Sequence, residues 1–361
     1  MNLSLVSAQR AVLFLLLGCV AIFSPGCVSL PYESRAAAEL TASFKSEHFD
    51  IRYRPVSKTA REVAQVSAAA ERELEAMCRL FEVKNDQRYT FYLFDRLSDF
   101  QRVLKGSATL AGFAYSRSGF FVLNDPAMAH ELAHLVAGIK LGPAASTFLS
   151  EGLANVIFDE TKTATYDAEA RYLLLRKGLP ALAALGGLKP VNVWIAEHPG
   201  VDVYRVGGSW MRYLLRRFGV EKFKKYYLSA DTVKSFGAPL DVIEAEWHEW
   251  LRSRRLTSRA EDALNALHTH AEGQRVIMAE ETFHFEVSVP ENELVGAEFF
   301  WEKNGKRVPE MDGVTLMLVP AKLGDAGVYD LVRQSHDERT VGFRLKIEVV
   351  DPVIFLPAQS P

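Results

Sequence analysis

The spacing of apolar residues changes character several times along the chain. An apolar run fills 11–23, directly after Arg10, the sole charged residue before Glu33. Phe49, Ile51 and Tyr53 then alternate with other residues, which predicts a strand, because successive strand side chains face opposite sides. From 58 to 81, Val63, Val66, Ala70, Leu74, Met77 and Phe81 recur at helical spacing and predict one long amphipathic helix. Residues 89–94 predict a second strand, 97–104 a short helix and 119–123 a third strand. Helical spacing governs 126 to about 255, with helices expected over 207–218, 220–228 and 240–251. After Gln274 the period becomes two: Phe283, Phe285, Val287 and Val289, then Val314, Leu316 and Leu318, then Phe343, Leu345, Ile347 and Val349. Asn304-Gly305 marks a hairpin turn, since both residues tolerate positive φ.

This pattern divides the chain into a signal segment 1–26, a tether 27–46, an α+β domain 47–255, a polar linker 256–274, an all-β domain 275–350 and a loose, flexible tail 351–361. The chain has 361 residues, with 42 Lys and Arg against 45 Asp and Glu. A near-neutral balance without a clustered basic face gives no sign of nucleic-acid binding. Three cysteines exclude a disulfide-dense scaffold. Cys78 lies in the apolar pattern of the long helix, where a buried, unreactive thiol is expected.

A basic residue, a short apolar run and then small residues form an export-signal pattern, and thirteen apolar residues are too few for a membrane span of ~20. Ser24-Pro25-Gly26-Cys27 resembles the bacterial lipoprotein processing site, which implies a lipidated Cys27 holding the mature chain to the envelope membrane. An ordinary cleaved signal or an uncleaved anchor is the other reading.

The chemistry centres on His130-Glu131-Leu132-Ala133-His134. Positions i and i+4 share a helix face, so both imidazoles can reach one metal ion, with Glu131 beside them to take a proton from water. Asp125 as N-cap and Pro126 in the first turn give this helix a start, and Gly142-Pro143 gives it an end. Met128, Leu132, Leu135, Val136 and Ile139 supply a separate apolar face. Downstream, Phe148-Leu149-Ser150-Glu151-Gly152-Leu153-Ala154 starts a second helix that would bring Glu151 to the metal face. Two His and one Glu leave a fourth position open, as in catalytic zinc sites.

With these two segments in order, 47–255 resembles the gluzincin metallopeptidases, in particular the peptidase-MA-like group of bacterial envelope proteins. Phe120-Phe121-Val122-Leu123 resembles the edge strand that pairs with extended substrate there. Gly207-Gly208-Ser209-Trp210 resembles the start of the helix that follows the zinc site. The resemblance implies Zn2+ held by His130, His134 and Glu151, hydrolysis of a peptide or protein substrate, and Glu131 as general base. It also implies an oxyanion donor from a later helical region. Tyr204 is the first candidate and His198 the second; Tyr204 reads equally as a packing residue. Asn155, one turn after Glu151, reads either as a partner that orients a metal-bound His or as a structural amide.

Residues 275–350 resemble an immunoglobulin-like β-sandwich. Trp301 falls at the core position of strand C, and Asp325-Ala326-Gly327-Val328-Tyr329-Asp330-Leu331 follows the Asp-x-Gly-x-Tyr-x-Cys segment with Leu331 in place of the cysteine. The resemblance implies a tyrosine corner at Tyr329 and Phe285 or Val287 packing against Leu331 where a disulfide would lie; the module is expected to be either a spacer or an adhesive unit for a protein or glycan ligand. The fold expected for the whole chain is therefore an α+β zincin-like metallopeptidase domain followed by an all-β immunoglobulin-like sandwich. The expected activity is that of an exported, lipid-anchored zinc metallopeptidase. The competing expectation is a non-catalytic envelope binding or scaffolding lipoprotein that keeps the peptidase fold.

Overall fold

The computed structural model describes residues 31–104, 112–115, 117–122, 127–156, 160–176, 178–185, 201–269, 273–279, 283–290, 296–318, 321–335 and 338–356. The signal segment with Cys27, the cap residues Asp125 and Pro126, His198 and the end of the tail lie outside them. The chain is mixed α and β, carries two mixed sheets, and divides into two compact units at Leu256/Thr257. Among the described residues no helix is long and apolar enough to cross a membrane.

The first unit opens with α1 (Pro31–Glu39), β1 (Ala42–Lys45), β2 (Phe49–Tyr53), α2 (Lys58–Leu80), β3 (Tyr89–Phe94), α3 (Leu97–Leu104), β4 (Gly112–Tyr115) and β5 (Ser118–Val122). The sheet order is β1-β2-β3-β5-β4. Strands β2, β3 and β5 are parallel, while β1 and β4 run antiparallel to their neighbours. The central strand β3 is apolar on both faces, which marks a strand covered on both sides. Phe91 and Leu93 face a large core that includes Leu74 and Met77 of α2. Tyr92 and Phe94 face a smaller cluster with Ala36, Leu40, Phe100, Val103 and Phe120.

That second face explains a correction at the N-terminal end. Residues 31–45 are not a tether: α1 covers the sheet through Ala36 and Leu40, and β1 pairs with β2. The alanine-rich sequence of α1 gave only a faint hydrophobic period, although Tyr32, Ala36 and Leu40 stand four apart. The long helix α2 matches its expected span and starts on an N-cap, with Ser57 accepting from the Ala60 N–H at 3.0 Å.

The helical half follows as α4 (Ala127–Lys140), α5 (Thr147–Val156), α6 (Glu160–Leu175), α7 (Leu182–Leu185), α8 (Val203–Phe218), α9 (Val220–Ser229), α10 (Thr232–Phe236) and α11 (Leu240–Ser253). Leu132, Val136, Leu149, Leu153, Trp210, Leu214 and Trp247 bury together with the sheet residues in the large core. Helices α5 and α8 cross at Gly152 and Gly207. A Cβ on Gly152 would lie 2.9 Å from the Gly207 carbonyl carbon and oxygen, and one on Gly207 would lie 3.0 Å from the Gly152 Cα. Two backbones in contact leave no space for a side chain.

The second unit spans 257–354. The expected linker contains α12 (Ser258–His268), capped by Thr257 accepting from the Ala260 N–H at 3.2 Å. Strands β6 (Gln274–Met278), β7 (Phe283–Glu286), β8 (Glu298–Lys303), β9 (Lys306–Asp312), β10 (Thr315–Leu318), β11 (Gly327–Ser335) and β12 (Glu338–Val350) follow. They form a five-stranded sheet, β6-β12-β11-β8-β9, and a two-stranded sheet, β10-β7. Trp301, Leu316, Tyr329, Leu331, Leu345 and Ile347 form the core with Phe285, and Val287 packs against it from partial burial. Asn304 and Gly305 form the tight β8–β9 turn with φ of +50° and +78°. The expected tail is ordered at its start, where Pro352–Phe355 makes a 3-10 turn.

Candidate metal centre

Helix α4 buries Leu132, Ala133, Leu135, Val136 and Ala137 and turns His130, Glu131 and His134 to a partly exposed side. This is the division that the sequence period predicts. The helix ends where Gly142 takes φ +100°, and Ser146 starts α5 by accepting the Leu149 N–H at 3.3 Å. Helix α5 is buried on nearly every side, and its contact with α8 at Gly152 sets the depth at which the adjacent Glu151 sits.

The donors converge. His130 Nε2 lies 3.1 Å from Glu151 Oε2 and 3.1 Å from His134 Nε2; His134 Nε2 lies 3.4 Å from the same Glu151 oxygen. The group His130, His134 and Glu151 could hold a metal ion. At metal–ligand distances near 2.05 Å, tetrahedral ligands stand about 3.3 Å apart, so this triangle matches such a site. The remaining ring nitrogens are occupied elsewhere. His130 Nδ1–H donates to Asn155 Oδ1 at 3.1 Å, and His134 Nδ1 is 3.1 Å from Ser150 Oγ. Both Nε2 atoms therefore face the common point, each ring fixed from behind.

The electrostatics agree with a cation-binding pocket. Burial alone would depress His130, but the hydrogen bond and charge of Glu151 outweigh it and hold the imidazole up to about 9. Burial would raise Glu151, but the charges and hydrogen bonds of His134 and His130 hold it well below the usual carboxylate range. Without metal the shifts favour an imidazolium–carboxylate pair, and a metal bound there would displace its proton. Burial pushes Glu131 up against the opposing pull of His134 and His130. Its Oε2 is buried with no hydrogen-bond partner. An orphaned buried carboxylate oxygen beside three converging donors fits a site built for a cation and a polar ligand.

His130, His134 and Glu151 come together with Glu131 beside them, and Asn155 Oδ1 reaches His130 Nδ1 at 3.1 Å. Tyr204 sits in the first turn of α8, half-buried against the large core, on a helix start capped by Asp202. It stands one turn before Gly208, whose Cβ would lie 2.8 Å from the Tyr166 ring of α6 and 3.2 Å from the Asn155 Cβ of α5, so it shares the α8 face turned to both helices. The expected edge strand needs correction. Strand β5, containing Phe120, lies between β3 and β4, and the sheet edge next to Glu131 is β4. Its four residues are too few to produce a readable alternation. The sequence reading also passed over Ser150, whose signal was its place directly before Glu151.

No family model matches the chain, and no curated protein matches it. Among solved structures it is similar to Drosophila OTK, extracellular domains 3-5, at 18% identity and a TM-score of 0.19, over 22% of this chain and 32% of that one. The match spans about a third of that structure, and at this score it carries no argument about fold or activity.

Proposed function

We propose that the protein is a zinc metallopeptidase of gluzincin type, exported and held to the envelope membrane through Cys27, with an immunoglobulin-like C-terminal unit. The observation that carries this reading is the convergence of His130, His134 and Glu151 with the Glu131 carboxylate beside them. Two nitrogens and one oxygen suit zinc with an open fourth position. Bound there, zinc would supply a Lewis acid and a water of lowered pKa.

The residues of the chain do the rest. Glu131, made more basic by burial against the opposing pull of the two imidazoles and close to the donor set, accepts the proton of the attacking water and passes it to the leaving amine. Asn155 and Ser150 fix the two rings. Among the described residues strand β4 pairs on one side, and its other edge suits an extended peptide laid alongside it. Tyr204 is proposed as the donor to the developing oxyanion. In the C-terminal unit, the Tyr329 hydroxyl donates to the Asp325 carbonyl at 2.9 Å, and Leu331 stands opposite the buried Trp301. These features support a sandwich held without a disulfide.

The test is a metal and activity assay on the purified protein. Roughly one zinc per chain, lost in His134→Ala, with peptide-library cleavage abolished in Glu131→Gln while zinc is kept, supports the peptidase. Metal-free protein with an intact fold overturns it in favour of a binding or scaffolding protein.

A further inference from the structure

Helix α1 starts at Pro31, close behind Cys27, and its first turn is bound to the hairpin that carries the sheet edge. Ser118 Oγ donates to Glu33 Oε1 at 2.5 Å. Ser118 opens β5 and stands opposite Tyr115, the last residue of β4. Tyr32 and Tyr115 pack on the same apolar cluster, which includes Phe100 and Phe120. Ala114, on the other face of β4, packs on the large core that holds Leu132 and Ala133 of α4. The β4–β5 hairpin thus joins the start of α1 to the helix that bears His130 and His134.

Covalent geometry bounds how far this hairpin can stand from a lipid on Cys27. Glu33 is the sixth residue after Cys27, and an extended chain spans at most ~3.5 Å per residue, so the two lie within about 21 Å of each other. The Glu33 and Ser118 side chains add about 10 Å, which keeps the start of β5 within about 30 Å of Cys27. Cys27-Val28-Ser29-Leu30 contains no charge and no glycine, unlike a long hydrophilic spacer. A lipidated residue sits at the bilayer surface, so the edge of β4 would work in the layer of solvent beside the headgroups. A polypeptide leaving the bilayer covers 30 Å in about nine extended residues. Enzyme and substrate held on one surface also meet at a raised effective concentration. We propose that the substrates are juxtamembrane segments of other membrane-anchored proteins, taken in extended form along β4 close to the bilayer. Selection is then by height above the membrane as well as by side chain. The inference rests on the peptidase and lipid-anchor readings.

The test uses the full lipidated chain in phosphatidylcholine vesicles, whose neutral headgroups leave tether geometry as the variable. The probe is a randomised peptide library attached to lipid in two arrangements. In one it lies between the lipid and two folded reporter domains; in the other it lies beyond them, each domain being roughly 35 Å across. Wild type is expected to cleave the near library about 10-fold faster than the far one. A Gly/Ser insertion of about 80 residues between Leu30 and Pro31 should level the two rates to within about 3-fold, because a flexible chain of that length reaches about 50 Å on average. Cleavage of the same library free in solution should be equal in both proteins, which controls for folding. A readout independent of activity is energy transfer from a fluorophore on Arg117→Cys, at the exposed hairpin turn, in a Cys78→Ala background, to labelled headgroups. Transfer should be strong with the native spacer and fall with the insertion. Equal cleavage of the near and far libraries, or equal transfer with and without the insertion, overturns the inference and leaves the peptidase standing. Wild type without lipid on Cys27 overturns the inference and the anchor. Hydrolysis of none of the three library forms overturns the peptidase reading and the substrate class with it.

Discussion

Helices α5 and α6 each bury a carboxylate, and the two behave in opposite ways. Glu151 is 5% exposed and Asp167 2%. Glu151 meets two imidazoles, at 3.1 and 3.4 Å. Asp167 accepts from Ser209 at 3.0 Å and Arg212 at 2.7 Å, with Arg254 at 3.8 Å. Burial raises both groups, but at Glu151 the histidines win and hold it low, whereas at Asp167 burial wins over Arg212 and Ser209 and lifts it to about 6. The difference lies in the partners. An imidazole can exchange its proton for a metal, so the Glu151 pocket can admit a cation. A guanidinium has no lone pair to offer, so the Asp167 pocket is closed by its own hydrogen bonds and serves the packing of α6 against α8.

The strongest way to break this contrast is to neutralise each carboxylate in turn. Glu151→Gln should reduce bound zinc from roughly one per chain to a small fraction and end hydrolysis, whereas Asp167→Asn should leave the zinc content of folded protein unchanged. Elemental analysis of the purified variants decides it, and equal loss of zinc in both would erase the distinction. Arg212→Met attacks the other pocket. It leaves Asp167 buried without its closest cation and should cost about 3 kcal/mol in denaturant unfolding, with zinc affinity unaltered.

Asn155→Ala sharpens the metal side. Loss of the partner behind His130 should weaken zinc about 10- to 100-fold in chelator competition, with little change in stability of the metal-free fold. The smallest effect is a pair of opposite pH slopes in metal-free protein. The folded carboxyl of Asp167 keeps its proton to about pH 6, above its unfolded value of about 3.9, so the stability it contributes is present below that unfolded value and fades as pH rises through 6. Glu151 is held low, so its contribution is present above the ordinary carboxylate range and fades only on strong acidification. Unfolding measured from pH 4.5 to 7 should show a falling component of order 1 kcal/mol that Asp167→Asn removes and Glu151→Gln leaves.

Much of the metal centre was legible because helical geometry converts spacing into direction. His130 and His134 share a face by their separation alone, and Asn155 follows Glu151 by one turn. Glu151 itself needed the resemblance of its flanking segment, since nothing in local spacing fixes how two helices cross. What stayed hidden depends on contacts between distant parts of the chain. The bond from the Ala145 N–H to the Tyr227 carbonyl exists only once α9 packs on the α4–α5 turn. The role of β4 depends on sheet order, which no four-residue stretch encodes. The cover supplied by α1 could have been inferred from β3, whose residues are apolar on both sides and so require two coverings.

The edge of β4, unpaired among the described residues, also bears on self-association. An edge strand offers its free backbone groups to any chain that comes near, including another copy of the same protein, and long flat edges nucleate aggregates. Strand β4 is four residues long, about 13 Å at the usual rise per residue. That length suits a brief pairing with one short extended segment and is poor footing for a growing stack of strands. Lengthening β4 to gain affinity for extended segments would therefore also make the protein more prone to self-association.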